Sequence, residues 1–248
     1  MKVKQSGHIG DLIYSLSACY NLHKVSGDMI DFYIGFDTLN QTLGHPSGKF
    51  TMTNESYDYI KPLLMAQPYI KSVNKHYKGI EVDYDFDAFR NYKFNIGAYD
   101  LRKWHSLVYP ELEVNLSEQC VFVDKHLDYL KDKIVVNLTQ RYRSFGIDYR
   151  KLEDQDFVFV GLEGEHQLFK NTYGFEPKRL NVKDALHMAE IINSCKLFIG
   201  NQSSAYAIAE QMKANRALEV FNQSPNVISV GGLTHDYMTT EGLQIILN

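Results

Sequence analysis

The sequence predicts an α/β protein on parallel sheets, arranged as two βαβ-like halves with a less regular middle. Three observations carry this. Short apolar runs alternate along the chain with stretches of helical period. The runs KIVVNL (133–138) and DFVFVGL (156–162) are nearly continuous rather than alternating, which suits strands covered on both faces. Two small-residue turns, Gly7-His8-Ile9-Gly10 and Gly200-Asn201-Gln202-Ser203-Ser204, each stand between an apolar run and a helical pattern.

In order, Met1–Ser6 is a strand, and Asp11 opens a helix with Leu12, Ile13, Leu16, Cys19 and Tyr20 on one face. Met29–Gly35 is the next strand. Glu55–Ala66 reads as helical, with Pro62 expected to kink or end it. Tyr69–His76 is a further strand, and Val82–Arg90 is aromatic and acidic with no clear period. After the two apolar runs, Val182, Ala185, Leu186, Ala189 and Ile192 follow helical spacing to Cys195. Asn181 is the expected cap, with Asp184 in the first turn. Leu197–Gly200 is then a strand and Ser203–Lys213 a helix. A boundary is expected near residues 122–130, in the charged stretch VDKHLDYLKDK, giving units 1–125 and 126–248.

Composition narrows the function. The 248 residues carry 26 Lys+Arg against 30 Asp+Glu, a net charge of −4, which weighs against nonspecific binding of nucleic acid. Hydrophobic residues at 44% and aromatics at 13% supply two modest cores. Three cysteines, none in a C-x-x-C pair, exclude a disulfide scaffold and fit a reducing, cytoplasmic compartment. No stretch has the roughly 18 apolar residues of a membrane span, and residues 1–10 are too polar for a signal peptide. Nine scattered histidines with no paired spacing give a metal little support. Gly44-His45-Pro46-Ser47-Gly48-Lys49 is one residue short of a phosphate loop and is followed by Phe50.

Four turns can carry chemistry. In Gly7-His8-Ile9-Gly10-Asp11 the glycines admit a ligand to a helix N-terminus, and Asp11 either accepts a proton from a hydroxyl or only caps the helix. Thr139-Gln140-Arg141-Tyr142-Arg143 follows a strand, where its hydroxyl and two guanidiniums either hold a diphosphate or are solvated. Gln202, Ser203 and Ser204 offer free N–H groups to phosphate, or simply cap. Glu163 or Glu165 either meets ribose hydroxyls at a strand end or is a first-turn acid.

Taken together, these pieces resemble the heptosyltransferases, family nine of the glycosyltransferases, which have the GT-B fold. Gly10–Ser17 (GDLIYSLS) is similar to the family's G-D-x-x-x-x-x-P opening, with Ser17 in place of proline. Leu64–Val73, Ile134–Arg143 and Leu186–Ala214 resemble further family segments in the right order, over most of the chain. The resemblance implies two Rossmann-like domains, the first on the acceptor side and the second binding a nucleotide-sugar. It implies inverting, metal-independent transfer of a sugar to an acceptor hydroxyl, without a cofactor. Asp11 would be the catalytic base; Thr139, Arg141 and Arg143 would hold the diphosphate; Glu163 would meet the nucleoside; Gln202-Ser203-Ser204 would meet phosphate.

Departures from the family pattern bear on the substrates. Asn201–Tyr206 stands where the family has Asp-Ser-Gly-Pro-x-His, the Lys-x-Trp after the phosphate turn is absent, and the chain is short. Donor and acceptor can both differ from the family's own. An epimerase or hydrolase on the same fold, or a degenerate nucleotide-sugar-binding protein, is the alternative reading.

Overall fold

The computed structural model describes residues 1–40, 48–93 and 95–248. The phosphate-loop-like stretch from Gly44 therefore lies largely outside the described residues. Two sheets form, and every strand pairing in them is parallel.

The first sheet takes β1 (Lys2–Gln5), β2 (Ile30–Ile34), β3 (Ile70–Lys75) and the two-residue β4 (Tyr84–Asp85), in the order β3-β2-β1-β4. Helices α1 (Ile9–Ser26) and α2 (Asn54–Met65) form its crossovers. One face buries Val3, Phe32, Ile34 and Val73 beneath them. The return from β3 to β4, residues 76–83, has no helix, and the other face keeps polar pairs such as Lys4 with Asp85 and Asp31 with Ser72. The period-free stretch 82–90 resolves into β4 and a 3₁₀ turn, Phe86–Asn91, too short for either periodicity to register.

The second sheet takes β5 (Ile134–Asn137), β6 (Phe157–Val160), β7 (Lys178–Leu180), β8 (Leu197–Asn201), β9 (Arg216–Glu219) and β10 (Thr234–Tyr237). Helices α3 (Glu163–Tyr173), α4 (Ala185–Ser194), α5 (Ser204–Met212) and α6 (Thr240–Leu247) intervene. The order is β10-β9-β8-β5-β6-β7, the doubly wound Rossmann arrangement, with its switch point between β5 and β8. Both faces are covered. Val135, Val158 and Phe198 point into one core with α4 and α5, whereas Ile134, Val136, Phe159 and Ile199 point into a second core with Phe169 and Leu243. This is why KIVVNL and DFVFVGL are apolar at consecutive positions.

Three boundaries differ from the sequence reading. Helix α1 begins at Ile9, so Asp11 is its third residue rather than its opening one. Pro62 lies within α2 and does not end it there: the ring and missing N–H affect only the preceding turn, and the Pro62 carbonyl still accepts the Ala66 N–H at 3.1 Å, so the helix runs to Met65. Asn181 does not cap α4. Asp184 does, its carboxylate accepting the His187 N–H at 2.8 Å, because the unforeseen strand β7 holds the chain extended up to Leu180. Asn181 instead accepts from the Arg179 guanidinium at 3.2 Å.

The halves meet along α1 and α5. Gln211 Nε2 donates to the Ile13 and Tyr14 carbonyls and to Ser17 Oγ, all buried. A buried ion cluster lies beside this contact: Glu210 on α5 accepts from Arg102, Arg216 and Lys213, and Arg102 also pairs with Asp100. Among the described residues no helix is long and apolar enough to cross a membrane.

Candidate functional site

A cleft of 610 Å³ opens where the turns after β1, β5 and β8 face one another. These are carboxyl ends of parallel strands, including both strands at the switch point, where open α/β sheets bind ligands. Residues 37–39, 51, 56 and 90 of the first half complete the rim, with Leu101, Trp104, Asn226 and Val227.

Two helices aim their N-termini into this cleft. Ile9 and Gly10 begin α1, Ser204 begins α5, and a Cβ on Gly10 would stand 4.0 Å from the Ser204 Cα. The leading N–H groups of each helix have no intrahelical acceptor and carry its positive dipole end. Ser203 caps α5, accepting from the Tyr206 N–H at 3.2 Å while donating to Asn137 Oδ1 at 2.8 Å. The cap takes only the third N–H, and the first two remain for a ligand.

Asp11 performs the capping that its sequence position allowed. Its Oδ2 accepts the His8 N–H at 3.0 Å, and Gly7 is needed because a Cβ there would stand 2.7 Å from that oxygen. Glu165 repeats the arrangement on α3, accepting the Leu162 N–H at 2.8 Å with Gly161 behind it. The difference is place: Asp11 lines the cleft and Glu165 does not. The His8 imidazole also lines it. Burial lowers its pKa, opposed by Asp11 and aided by the charges of Arg141 and Arg90, so the ring is neutral at pH 7.

The turn after β5 separates its two arginines. Tyr142 has φ 54°, a left-handed value uncommon for a residue with a side chain, and the chain bends there. Arg141 lines the cleft, its guanidinium 5.5 Å from the Tyr142 ring, with no ion-pair partner among the described residues. Arg143 turns away: Nε lies 3.0 Å from both oxygens of the fully buried Glu219, which also accepts from the Tyr149 hydroxyl at 2.6 Å. Thr139 is not on the cleft wall either. Asn201, buried at the end of β8, accepts its N–H at 3.0 Å and donates to the Arg141 carbonyl at 2.5 Å. Asn201 thereby fastens the two crevice turns together and fixes where Arg141 starts.

No family model and no curated protein matches the chain. Solved structures do. The E. coli ADP-heptose lps heptosyltransferase II superposes with a TM-score of 0.65 at 12% identity, covering 100% of this chain and 98% of that one. E. coli heptosyltransferase WaaC with ADP gives 0.64 at 8%, covering 100% and 99%. The glycosyl transferase family 9 protein from Veillonella parvula DSM 2008 gives 0.63 at 12%, covering 99% and 90%. The chain has the heptosyltransferase fold.

In this GT-B frame the cleft gathers His8, Gly10, Asp11, Arg141, Gln202, Ser203 and Ser204. Gly7, Thr139, Arg143 and Glu163 are not on its wall. Glu163 stands exposed at the start of α3, bound by the Gln167 amide at 2.9 Å and by Arg179 at 2.6 Å, which together hold its pKa low. The sequence reading missed Arg90, whose guanidinium lines the cleft while donating to the Ser6 carbonyl at 3.0 Å and to Asp87 at 3.3 Å. It also missed Tyr14 and Trp104. Arg90 closes the stretch with no readable period, so only its charge could have marked it. Among the described residues no group of three or more His, Cys, Asp or Glu side chains is placed to hold a metal ion.

Arg143 has a testable structural role. Arg143→Ala strands the Glu219 carboxylate in the interior and is expected to cost about 2 kcal/mol or more. Urea denaturation measures this, and an unchanged midpoint would show that water reaches Glu219.

Proposed function

We propose that the protein is a glycosyltransferase that moves a sugar from a nucleoside-diphosphate sugar to an acceptor hydroxyl, with inversion and without a metal ion. One observation carries the reading: two helix N-termini from different halves converge on one cleft that also holds Arg141 and Asp11. Two positive dipole ends facing each other repel, and an anion between them relieves this. A diphosphate fits that need. The solved structures of the same fold include one described with ADP and one with ADP-2-deoxy-2-fluoro heptose.

Asp11 then serves twice. Oδ2 is held by the His8 N–H, and Oδ1 takes the proton from the acceptor hydroxyl as it attacks the anomeric carbon. Charge grows on the leaving diphosphate through an oxocarbenium-like transition state. Arg141 and the N–H groups of α1 and α5 stabilise that charge electrostatically. Arg143, assigned to the diphosphate by resemblance, acts instead by holding the β5 turn through Glu219. In this reading residues 1–125 form the acceptor side and 126–248 the donor side, with the acceptor entering past Asp37, Thr38 and Arg90.

Melting curves with ADP, UDP, GDP and their sugar conjugates, all in EDTA, test the donor class. A ligand at about 100 times its Kd stabilises the native state by about 2.7 kcal/mol. One nucleotide is expected to raise the melting temperature in EDTA, and Arg141→Ala to weaken it by about 10- to 100-fold. Incubating the binding sugar nucleotide with and without candidate acceptors then separates transfer from hydrolysis or epimerisation. No shift with any nucleotide would overturn the reading.

A further inference from the structure

His8 stands where several positive influences meet. It is the N-cap residue of α1, so its side chain lies at the positive end of that helix. It lines the cleft together with Arg141, from the turn after β5, and Arg90, from the 3₁₀ turn after β4. On its own helix the Asp11 carboxylate favours a charged ring, and the Asn40 side chain accepts a hydrogen bond from it. Asp37 and Tyr14 are the other ionisable groups on the cleft wall among the described residues, and burial keeps the Tyr14 phenol protonated. Burial first, then the two guanidiniums, outweigh Asp11 and Asn40 and hold the ring below the ordinary histidine value of 6.5.

An anion in this cleft changes that sum. The helix ends and guanidiniums that oppose a proton on His8 are the same groups that attract a diphosphate. Once a diphosphate offsets their charge, the ring has a carboxylate on one side, an anion on the other, and little positive charge left to keep it neutral. Direct contact is not required, because charges a few ångströms apart in a partly buried site act on one another strongly. His8 is partly exposed, so solvent can deliver the proton.

We propose that His8 is the proton-coupled member of the diphosphate seat: neutral in the free protein, it takes one proton from solvent onto its ring as the nucleotide sugar binds. This rests on the nucleotide-sugar reading above. The resulting imidazolium adds a positive charge beside the diphosphate. It also offsets the further negative charge that the diphosphate gains as its bond to the sugar breaks. Because the bound state holds more protons than the free state, affinity falls as the pH rises between the ring's free and bound pKa and is level on either side.

Calorimetric titration with ADP-glucose, UDP-glucose and GDP-mannose tests this. Both phosphates of such a conjugate are diesters that stay ionised, whereas the terminal phosphate of a bare diphosphate itself titrates at about pH 6. With the conjugate that binds, titrations in buffers of different ionisation enthalpy are expected to show net proton uptake near neutrality. Its affinity is expected to fall by about 3- to 10-fold from pH 6 to pH 8. His8→Gln keeps a polar side chain that takes no proton. It is expected to abolish the uptake and flatten the pH profile, with affinity at pH 8 within a few-fold of wild type and melting curves showing the variant folded. Asp11→Asn removes the carboxylate that favours the imidazolium, so it is expected to move the profile to lower pH without flattening it. Binding without proton uptake in the wild type, or uptake that persists in His8→Gln, overturns the assignment and leaves the nucleotide reading intact. A wild type that binds none of the three conjugates removes both.

Discussion

Replacing Asp11 with asparagine is expected to lower sugar transfer by about 10²- to 10⁴-fold, the usual worth of a positioned general base, with nucleotide affinity within a few-fold of wild type. The comparison is sharp because Asp11 also caps α1. Asparagine keeps an oxygen for the His8 N–H, so the cap survives, and losing one charge from a first helical turn costs only about 0.3–1 kcal/mol. Stability and catalysis therefore separate in one variant. Steady-state transfer assays alongside melting curves read both. Transfer at the wild-type rate would leave Asp11 as a cap alone and move the base elsewhere in the cleft.

Glu210→Ala is expected to have the largest effect on stability. The carboxylate is fully buried and accepts from Arg102, from Arg216 Nε at 2.6 Å, from Lys213 at 2.7 Å and from the Val230 N–H at 3.3 Å. Without it, Arg216 is left in the interior with carbonyl partners but no carboxylate. Removing one partner of a buried ion pair costs about 3–5 kcal/mol, because the remaining charge is uncompensated. A fall of that size in unfolding free energy, measured in urea, is the expected result. Arg102 belongs to the segment that also supplies Leu101 and Trp104, so the variant should also weaken sugar-nucleotide binding. An unchanged urea midpoint would mean that water solvates the cluster.

Much of this protein was legible in the sequence because its cause is local. The apolar runs of β5 and β6, the helical spacing of α1 and α4, and the small-residue turns before α1 and α5 are short-range patterns, and the structure places them as strand, turn and helix. Asp11 was legible as a cap for the same reason. The ends of elements were harder. Asn181 looked like a cap until β7 drew the chain straight, and β7, only three residues long, carries no period of its own.

What the sequence by itself determined is the order of parallel strands and helices and the chemistry available at each strand's carboxyl end. What only the tertiary structure decided is which of those groups share a cleft. Arg141 and Arg143 are two residues apart and chemically identical. One faces the cleft and the other a buried carboxylate 76 residues away, because Tyr142 turns the chain and β9 supplies Glu219. Glu163 is claimed in the same way by Arg179. Arg90 and Trp104 enter the site from segments with no motif, and Tyr14 from a variable position of the Gly10–Ser17 motif. Ion pairs and cleft walls form between residues distant in the chain, and their energies depend on burial and separation, which local spacing does not encode.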